Sequence, residues 1–324
     1  MIEINYSTFK GLFLAMTAAV FFSGDAAAMK MITSLHPAQV SLYRFFALFV
    51  MSMPETVKSK EYPFGPKDDR IHLIIRGVFG GISLFLSYTA YRSLPLGEAS
   101  VIMYCTPITV TVAAWIFLKE PCSIIQSILV IVTVVGVAFT TKLPSQIMGN
   151  TVTYTKENIY GFLSAMTACL CRTIQSICIR KSKNVHHAIV MFNFGWMTVI
   201  EGLILMAVFA DYKLQECGTE WIYILLIGFF SYCGQNLLTL ALKCECAGPV
   251  STVMSATAIT ISFLLQVFLF HESTDISAII GAVLVGLCIV GAGLIKFMST
   301  LPENLPQCKL LKYVEFDSIT KQKP

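Results

Sequence analysis

The strongest constraint on the fold is an internal repeat, in which the second half of the chain restates the first about 150 residues later. Residues 15–18 read Ala-Met-Thr-Ala, and residues 165–168 read the same within a similar apolar run. His36 falls on His186 at the same offset. We therefore interpret the chain as a duplicated half.

Each copy contains five apolar runs of membrane-crossing length, for which a helix needs about 20 residues. The runs of the first copy are 11–32, 37–54, 72–93, 96–117 and 123–141, and those of the second are 159–179, 186–210, 220–242, 248–270 and 276–296. Because five is odd, the second copy enters the bilayer upside down relative to the first. The predicted fold is an all-α polytopic membrane protein with ten transmembrane helices in two inverted five-helix repeats.

These runs divide the chain into a cytoplasmic N-terminus, a first repeat, a linker, a second repeat and a cytoplasmic tail. The bounds are 1–10, 11–141, 142–158, 159–297 and 298–324. Lysine and arginine, which are enriched in cytoplasmic loops, set the orientation. With both termini in the cytoplasm, 15 of these residues lie on the cytoplasmic side and 5 on the opposite side. Plasma membrane and endomembrane both stay open.

Composition and motifs exclude several classes of protein. The chain is 56% hydrophobic and 13% charged, whereas a soluble domain carries about 25% charged residues. We therefore expect it to lie in the lipid bilayer. No basic helix or basic stripe with interleaved aromatic residues stands outside the apolar runs, so we expect no nucleic-acid partner. Motifs for metalloprotease, serine hydrolase and phosphate-loop chemistry are missing from the sequence, so we expect no enzyme, cofactor or metal site.

Five charged residues lie inside the apolar runs, where a charge is expensive unless it is paired: Asp25, Arg44, Arg76, Arg172 and Glu201. Three cations against two anions favour an anionic solute, because a guanidinium group binds carboxylate or phosphate through two parallel hydrogen bonds. Arg44 is the first candidate for solute contact, and Arg76 is the second. The alternative is that both pair with the two buried carboxylates, or that Arg76 reaches the lipid headgroups.

Asp25 and Arg172 are predicted to face each other across a pseudo-two-fold axis. The repeat partner of Asp25 is Gln175, which lies three residues after Arg172 and so shares its helix face. An axis between the copies would bring the two faces together. The sequence predicts a salt bridge there, either as a gate that breaks during transport or as a static contact.

Glu201 lies near the middle of the seventh run. We predict that it is a proton carrier, because a buried carboxyl group can take up and release a proton near neutral pH. The alternative is a carboxylate that is permanently paired with an arginine. Proton coupling is therefore one of two interpretations.

Polar side chains gather in the third, fourth, eighth and ninth runs. Tyr88, Tyr104, Gln235 and Asn236 are the candidates for solute contact among them, because a few such groups fix the orientation of a small ligand. We expect the four helices to line a wet cavity. For the serines and threonines, the alternative is hydrogen bonding between helices.

Several short motifs together resemble a known family. They are Gly65-Pro66-Lys67, Arg76-Gly77, Tyr88-Thr89-Ala90-Tyr91, Glu98-Ala99-Ser100, Pro107, Leu118-Lys119-Glu120, Glu201, Gly234-Gln235 and Ala247-Gly248-Pro249-Val250. The chain resembles the drug/metabolite transporter superfamily with paired EamA domains, and within it subgroup G of solute carrier family 35. The resemblance spans roughly residues 10–297. It implies a ten-helix inverted-repeat fold, cytoplasmic termini and solute movement by alternating access.

Together these observations predict a secondary transporter of a small organic solute that is expected to be anionic. Two alternatives stay open. One is a nucleotide-sugar exchanger of the Golgi or endoplasmic reticulum, and the other is a transporter-like scaffold or regulatory protein that moves no solute. A homodimer is an open alternative to a monomer.

Overall fold

The computed structural model describes residues 10–32, 35–93, 103, 106–119, 124–140, 156–209 and 220–268, together with Ile280, Val283, Leu284, Leu287 and Gly291. Its helices are α1 Lys10–Lys30, α2 Pro37–Ser59, α3 Arg70–Ser93, α4 Thr106–Ala113, α5 Ile124–Thr140, α6 Lys156–Lys181, α7 His187–Phe209, α8 Glu220–Cys244 and α9 Ala247–Phe268. A π-helical turn over Ala114–Leu118 continues α4. The described residues are thus all-helical, apart from short connections. Of the tenth predicted run, only the last five positions named above are described, and they are helical.

Several of these helices carry a surface that suits lipid rather than water. Five segments are long and apolar enough to cross a membrane: Lys10–Met29, Arg70–Ser87, Ile159–Lys181, His187–Val208 and Glu220–Cys244. Large apolar side chains stand on their outer faces, and Phe13, Val208 and Leu225 are 68%, 66% and 71% exposed. Lipid tails cover such a surface without the cost that water imposes. The chain is therefore an integral membrane protein, as predicted.

The two halves interlock, and most helices pack against helices of the other half. α1 packs against α8 and α9, and in the same way α6 packs against α3 and α4. α2 packs against α7 and α8, while α7 packs against α2 and α3. Exchanging the two halves turns each of these contacts into a contact of the same set, as a two-fold relation requires. In the described residues, the core therefore lies between the halves.

The repeated Ala-Met-Thr-Ala motif marks two equivalent helix contacts. Its four alanines are completely buried: Ala15, Ala18, Ala165 and Ala168. The first pair packs in a cluster with α8 and α9, and the second pair packs against α3. Residues three apart share a helix face, and small residues there let helices in a membrane approach closely. Met166, between the alanines of the second motif, is 45% exposed on the outer face.

Close approaches of helix backbones also occur in equivalent pairs. A Cβ on Gly77 would lie 2.7 Å from Cβ of Met197, and a Cβ on Gly228 would lie 2.6 Å from Cβ of Ala47. Ala47 and Met197 correspond in the repeat. Gly77 of α3 therefore corresponds to Gly228 of α8. The offset between the two copies is thus one residue longer for α3 and α8 than for α1 and α6.

The starts of α2 and α7 are built alike. Nδ1 of His36 accepts a hydrogen bond from the amide of Ala38 at 3.3 Å. His186 accepts one from Ala188 at the same distance. Each histidine thereby satisfies a backbone donor at a helix start, which would otherwise lack a partner. The matched histidines of the sequence are thus matched helix caps.

Replacing Ala165 by leucine is expected to destabilise the protein by about 1–3 kcal/mol, because the larger side chain has no room at the α3–α6 contact. The measurement is the melting temperature of the purified protein in detergent. Met166→Leu, on the outer face beside it, is the control and should leave the melting temperature unchanged. Equal losses for the two variants would contradict this packing.

Candidate functional site

A row of buried polar side chains on α8 organises the interior. Ser231, Gln235 and Thr239 recur every four residues, so they lie on one helix face over about 12 Å. Their exposed fractions are 0%, 3% and 0%. We call these three residues the α8 polar row. Each hydrogen-bonds a side chain from a different helix: Arg44 of α2, Gln175 of α6 and Arg76 of α3.

Arg44 forms a buried ion pair with Asp25. The distance from Nη2 of Arg44 to Oδ2 of Asp25 is 2.9 Å, and the two side chains are 3% and 5% exposed. Nε of Arg44 also donates to Oγ of Ser231 at 2.6 Å. Removing either partner would leave a buried charge without compensation. Of the two predicted interpretations of Arg44, the structure contains the pairing with a buried carboxylate.

The predicted salt bridge between Asp25 and Arg172 is wrong for this conformation. Arg172 instead donates from Nη2 to Oγ of Ser87 on α3, at 3.2 Å. The reason is the interlocked packing, in which α1 lies against α8 and α9 whereas α6 lies against α3 and α4. The two faces that the repeat relates therefore meet different helices, and Asp25 finds its cation on α2.

Arg76 is 1% exposed, and the groups that it contacts directly are uncharged. Its Nη1 donates to the carbonyl oxygen of Val190 at 2.6 Å, and its Nη2 donates to Oγ1 of Thr239 at 2.9 Å. Nη2 also contacts Sδ of Met191 at 3.6 Å, and the guanidinium lies 4.6 Å from the centre of the Phe194 ring. Within the described residues it contacts no carboxylate. Arg76 therefore neither reaches the headgroups nor pairs with a buried acid.

The Glu201 carboxyl group of α7 lies against the bare backbone of Gly81 in α3. A Cβ at Gly81 would overlap this carboxyl group, so a larger residue there would push the Glu201 side chain aside. Both carboxyl oxygens are buried and have no hydrogen-bond partner among the described residues. An arginine partner, the alternative interpretation of Glu201, is not present in that part of the chain. A carboxyl group in such a place is more stable with its proton bound.

The structure describes two of the four remaining candidates for solute contact, and for the other two it does not describe the side chain. Oε1 of Gln235 accepts a hydrogen bond from Nε2 of Gln175 at 3.4 Å. Oδ1 of Asn236 is buried without a partner in the described residues. The side chain of Tyr88 and the whole of Tyr104 lie outside the described part. In that part, no three His, Cys, Asp or Glu side chains are grouped so that they could bind a metal ion.

Three residues that contact the predicted arginines were not singled out from the sequence: Ser231, Thr239 and Phe194. A sequence signal exists for each of them. Ser231 and Thr239 flank Gln235 at four-residue spacing, which places all three on one helix face. Phe194 is the repeat partner of Arg44, so it occupies the equivalent position in the other copy.

Two interlocked helical repeats with charges buried between them define a polytopic membrane protein built by duplication, the class that includes many secondary transporters. The model of the EamA-like transporter family matches residues 9–142 and 159–294. The chain belongs to this family.

Relatives agree with this assignment, and a solved structure shares the fold. Solute carrier family 35 member G1 of Homo sapiens is 28% identical over 292 residues, which are 89% of this chain and 80% of that protein. The Pseudopaline exporter CntI of Pseudomonas aeruginosa is 27% identical over 180 residues, which are 55% of this chain and 60% of that protein. One crystal structure has a TM-score of 0.76 and covers 90% of this chain and 99% of its own, at 15% identity, so it supports the fold alone. The predicted resemblance to subgroup G is confirmed.

Replacing Asp25 by asparagine should destabilise the protein by about 3 kcal/mol or more, because Arg44 then stays buried without its anion. The double variant Asp25→Asn with Arg44→Gln removes both charges and should recover much of that loss. Melting temperature and the monodisperse yield in detergent are the measurements. A double variant whose loss equals the sum of the two single losses would show that the two side chains do not interact.

Proposed function

We propose that the chain is a secondary transporter that moves a small organic anion across the membrane by alternating access. In this proposal it has ten transmembrane helices in two inverted repeats, with both termini in the cytoplasm. Family membership and the names of two relatives, a solute carrier and an exporter, support the movement of a small molecule. An inverted repeat supports alternating access, because exchanging the conformations of the two halves moves the opening from one side to the other.

The observation that supports an anionic solute is the surplus of buried cations. In the described part of the bundle, Arg44 is neutralised by Asp25, whereas Arg76 and Arg172 contact no carboxylate. A carboxylate or phosphate on the solute would compensate such a guanidinium group through two parallel hydrogen bonds. A cationic solute would add to the unpaired positive charge and is disfavoured.

Arg172 is the residue best suited to bind the solute directly. It is half-buried and makes one hydrogen bond, to Ser87 at 3.2 Å, so releasing it costs little. Asn236 adds a buried amide oxygen that has no partner among the described residues. Gln235, one position before it, belongs to the α8 polar row. In our proposal these groups, together with Tyr88 and Tyr104, orient the solute.

Asp25 contributes to gating through its ion pair with Arg44. The pair joins α1 to α2, and the bond from Arg44 to Ser231 joins both to α8. Any movement of these three helices relative to one another must lengthen or rearrange these contacts. The pair therefore biases which conformation the bundle adopts.

Glu201 is our candidate for coupling transport to a proton. Its buried oxygens lack a donor in the described residues, so the neutral form is favoured in this conformation. A conformational change that brings water or a cation to Glu201 would favour release of the proton. The two steps together would carry one proton per cycle.

Uptake into proteoliposomes tests the transport of an anion. The wild-type protein should accumulate at least one member of a mixed set of labelled organic anions, and Arg172→Gln should lower that uptake about tenfold or more, because a charged bidentate contact is lost. Lys183→Gln removes the same charge from an exposed site between α6 and α7 and should leave uptake unchanged. A wild-type protein that moves no anion, nucleotide sugars included, would favour the scaffold alternative.

The role of Glu201 is tested by a pH gradient across the same vesicles. Glu201→Gln should abolish the dependence of uptake on the gradient, because the amide cannot carry a proton, while exchange of solute at equal pH continues. Asp68→Asn, at an exposed site before α3, should keep the gradient dependence. Gradient-driven uptake that survives Glu201→Gln would exclude this residue as the carrier.

A further inference from the structure

Two equivalent clusters of buried side chains lie at opposite ends of the bundle. Plug A consists of Ala28, Leu35, Val40, Ile224 and Ile227. Their repeat partners, with the longer offset for α3 and α8, form plug B: Cys178, Val185, Val190, Leu73 and Arg76. All five partners are buried, and three of them pack in one cluster.

The two plugs are separated by the length of α2. This helix begins beside plug A, to which it contributes Val40. It ends beside plug B, where Oγ1 of Thr56 bonds the carbonyl oxygen of Ala188, which lies between Val185 and Val190. A helix of this length spans about 34 Å, which is comparable to the hydrocarbon thickness of a bilayer. The plugs therefore close opposite ends of one interface between the halves.

Plugs A and B differ in charge at one position. Ile227 and Arg76 correspond, and each is 1% exposed. The remaining members are apolar in both plugs, with Cys178 as a small apolar side chain in place of Ala28. One end of the interface is thus closed by apolar contacts, while the other end contains a guanidinium group.

Both terminal nitrogens of Arg76 donate to neutral oxygens of the protein. Nη1 and Nη2 donate to separate oxygens, the carbonyl of Val190 and the hydroxyl of Thr239. A carboxylate or phosphate group uses two nitrogens of a guanidinium in the same way, but it also neutralises the charge. Neutral oxygens do not, so Arg76 gains more from an anion than from its present partners.

A second cation lies at the outer side of plug B. Lys243 is one turn beyond Thr239 on α8, and its Nζ donates to the carbonyl oxygen of Val185. Both carbonyl acceptors, at Val185 and Val190, belong to plug B. An anion that reaches this end therefore meets two side-chain cations that now bind the plug's own backbone, and the carboxylates of Glu61 and Asp69 also act on Lys243.

We infer that plugs A and B are the two gates of alternating access, and that an anionic group of the solute opens gate B by replacing Val190 and Thr239 on Arg76. This inference rests on the proposed transport of an anion. Plug A has no such exchange, because Ile227 cannot bind an anion and the nearby Arg44 already has Asp25. The solute class is a small anion that carries a carboxylate or phosphate group.

Thiol labelling of the full-length protein in lipid nanodiscs tests this inference. Cys178 is a native reporter inside plug B, and Ala28→Cys puts a thiol at the equivalent position of plug A. The rate of modification by N-ethylmaleimide is read for each cysteine by peptide mass spectrometry, with succinate, inorganic phosphate or neither added. One or both anions should raise the rate at Cys178 about fivefold, because binding shifts the population towards the open gate. The rate at the plug A reporter should not rise.

Two variants separate the inference from a general effect of salt. Arg76→Ile copies plug A and should remove the response of Cys178 to both anions. Thr239→Val keeps the charge of Arg76 but removes one of the two neutral oxygens that Arg76 now binds. It should therefore raise the labelling rate at Cys178 without any anion. No response to either anion, an equal response in Arg76→Ile, or an equal rise at the plug A reporter would overturn the inference.

Failure of the inference and failure of the proposed function give different results. Suppose that anion uptake depends on Arg172 but that the labelling rate of Cys178 does not change with anions. The transport function would then stand, and gate B would be excluded as its anion sensor. If the labelling rate of Cys178 responds to anions in a wild-type protein that moves no solute, the anion site in plug B would stand and the transport function would be contradicted.

Discussion

The structure depends on one constraint, which is that a charge inside the bilayer has no water to hydrate it. Each buried cation must therefore find its partners in the protein, and each has at least one of them in the other half of the chain, although the anion that pairs with Arg44 is Asp25 of its own half. Arg44 of the first repeat bonds Ser231 of the second, and Arg76 bonds Thr239 and the carbonyl of Val190. The α8 polar row thus fastens the halves together, and the interlocked packing provides the contacts that these charges need.

Duplication explains the scaffold, and divergence explains the chemistry. Equivalent positions keep the same role where they shape the bundle, as the capping histidines and the buried alanines do. They differ where they carry charge, since Asp25 corresponds to Gln175 and Arg44 to Phe194. Each charge was thus placed in one copy only. A site between two copies needs this asymmetry, because a small solute presents its charged group to one side at a time.

The repeat, the membrane class and the residues that carry charge follow from the sequence, because each is a local or periodic property. The partners of those residues do not. Arg44 and Ser231 are 187 positions apart, and Arg76 and Thr239 are 163 apart. Such pairs are set by which helix faces meet, and a repeat alone does not determine this. The expected contact between Asp25 and Arg172 assumed that related faces meet directly, whereas third helices lie between them. The unbonded Glu201 depends on Gly81, whose importance appears only when α3 and α7 are seen in contact.

The two arginines of the interface occupy different places in a common arrangement. Arg44 stands where the other copy has Phe194, and Arg76 stands where the other copy has Ile227. Arg44 is satisfied by Asp25, whereas Arg76, at the plug B end of the interface, is satisfied by neutral oxygens. A fixed carboxylate competes with any incoming anion, so Arg44 is occupied in advance. Neutral oxygens compete weakly, so the charge of Arg76 stays available to an anion that can reach it. A symmetric scaffold can in this way respond to the charge of its solute at one end and remain indifferent to it at the other.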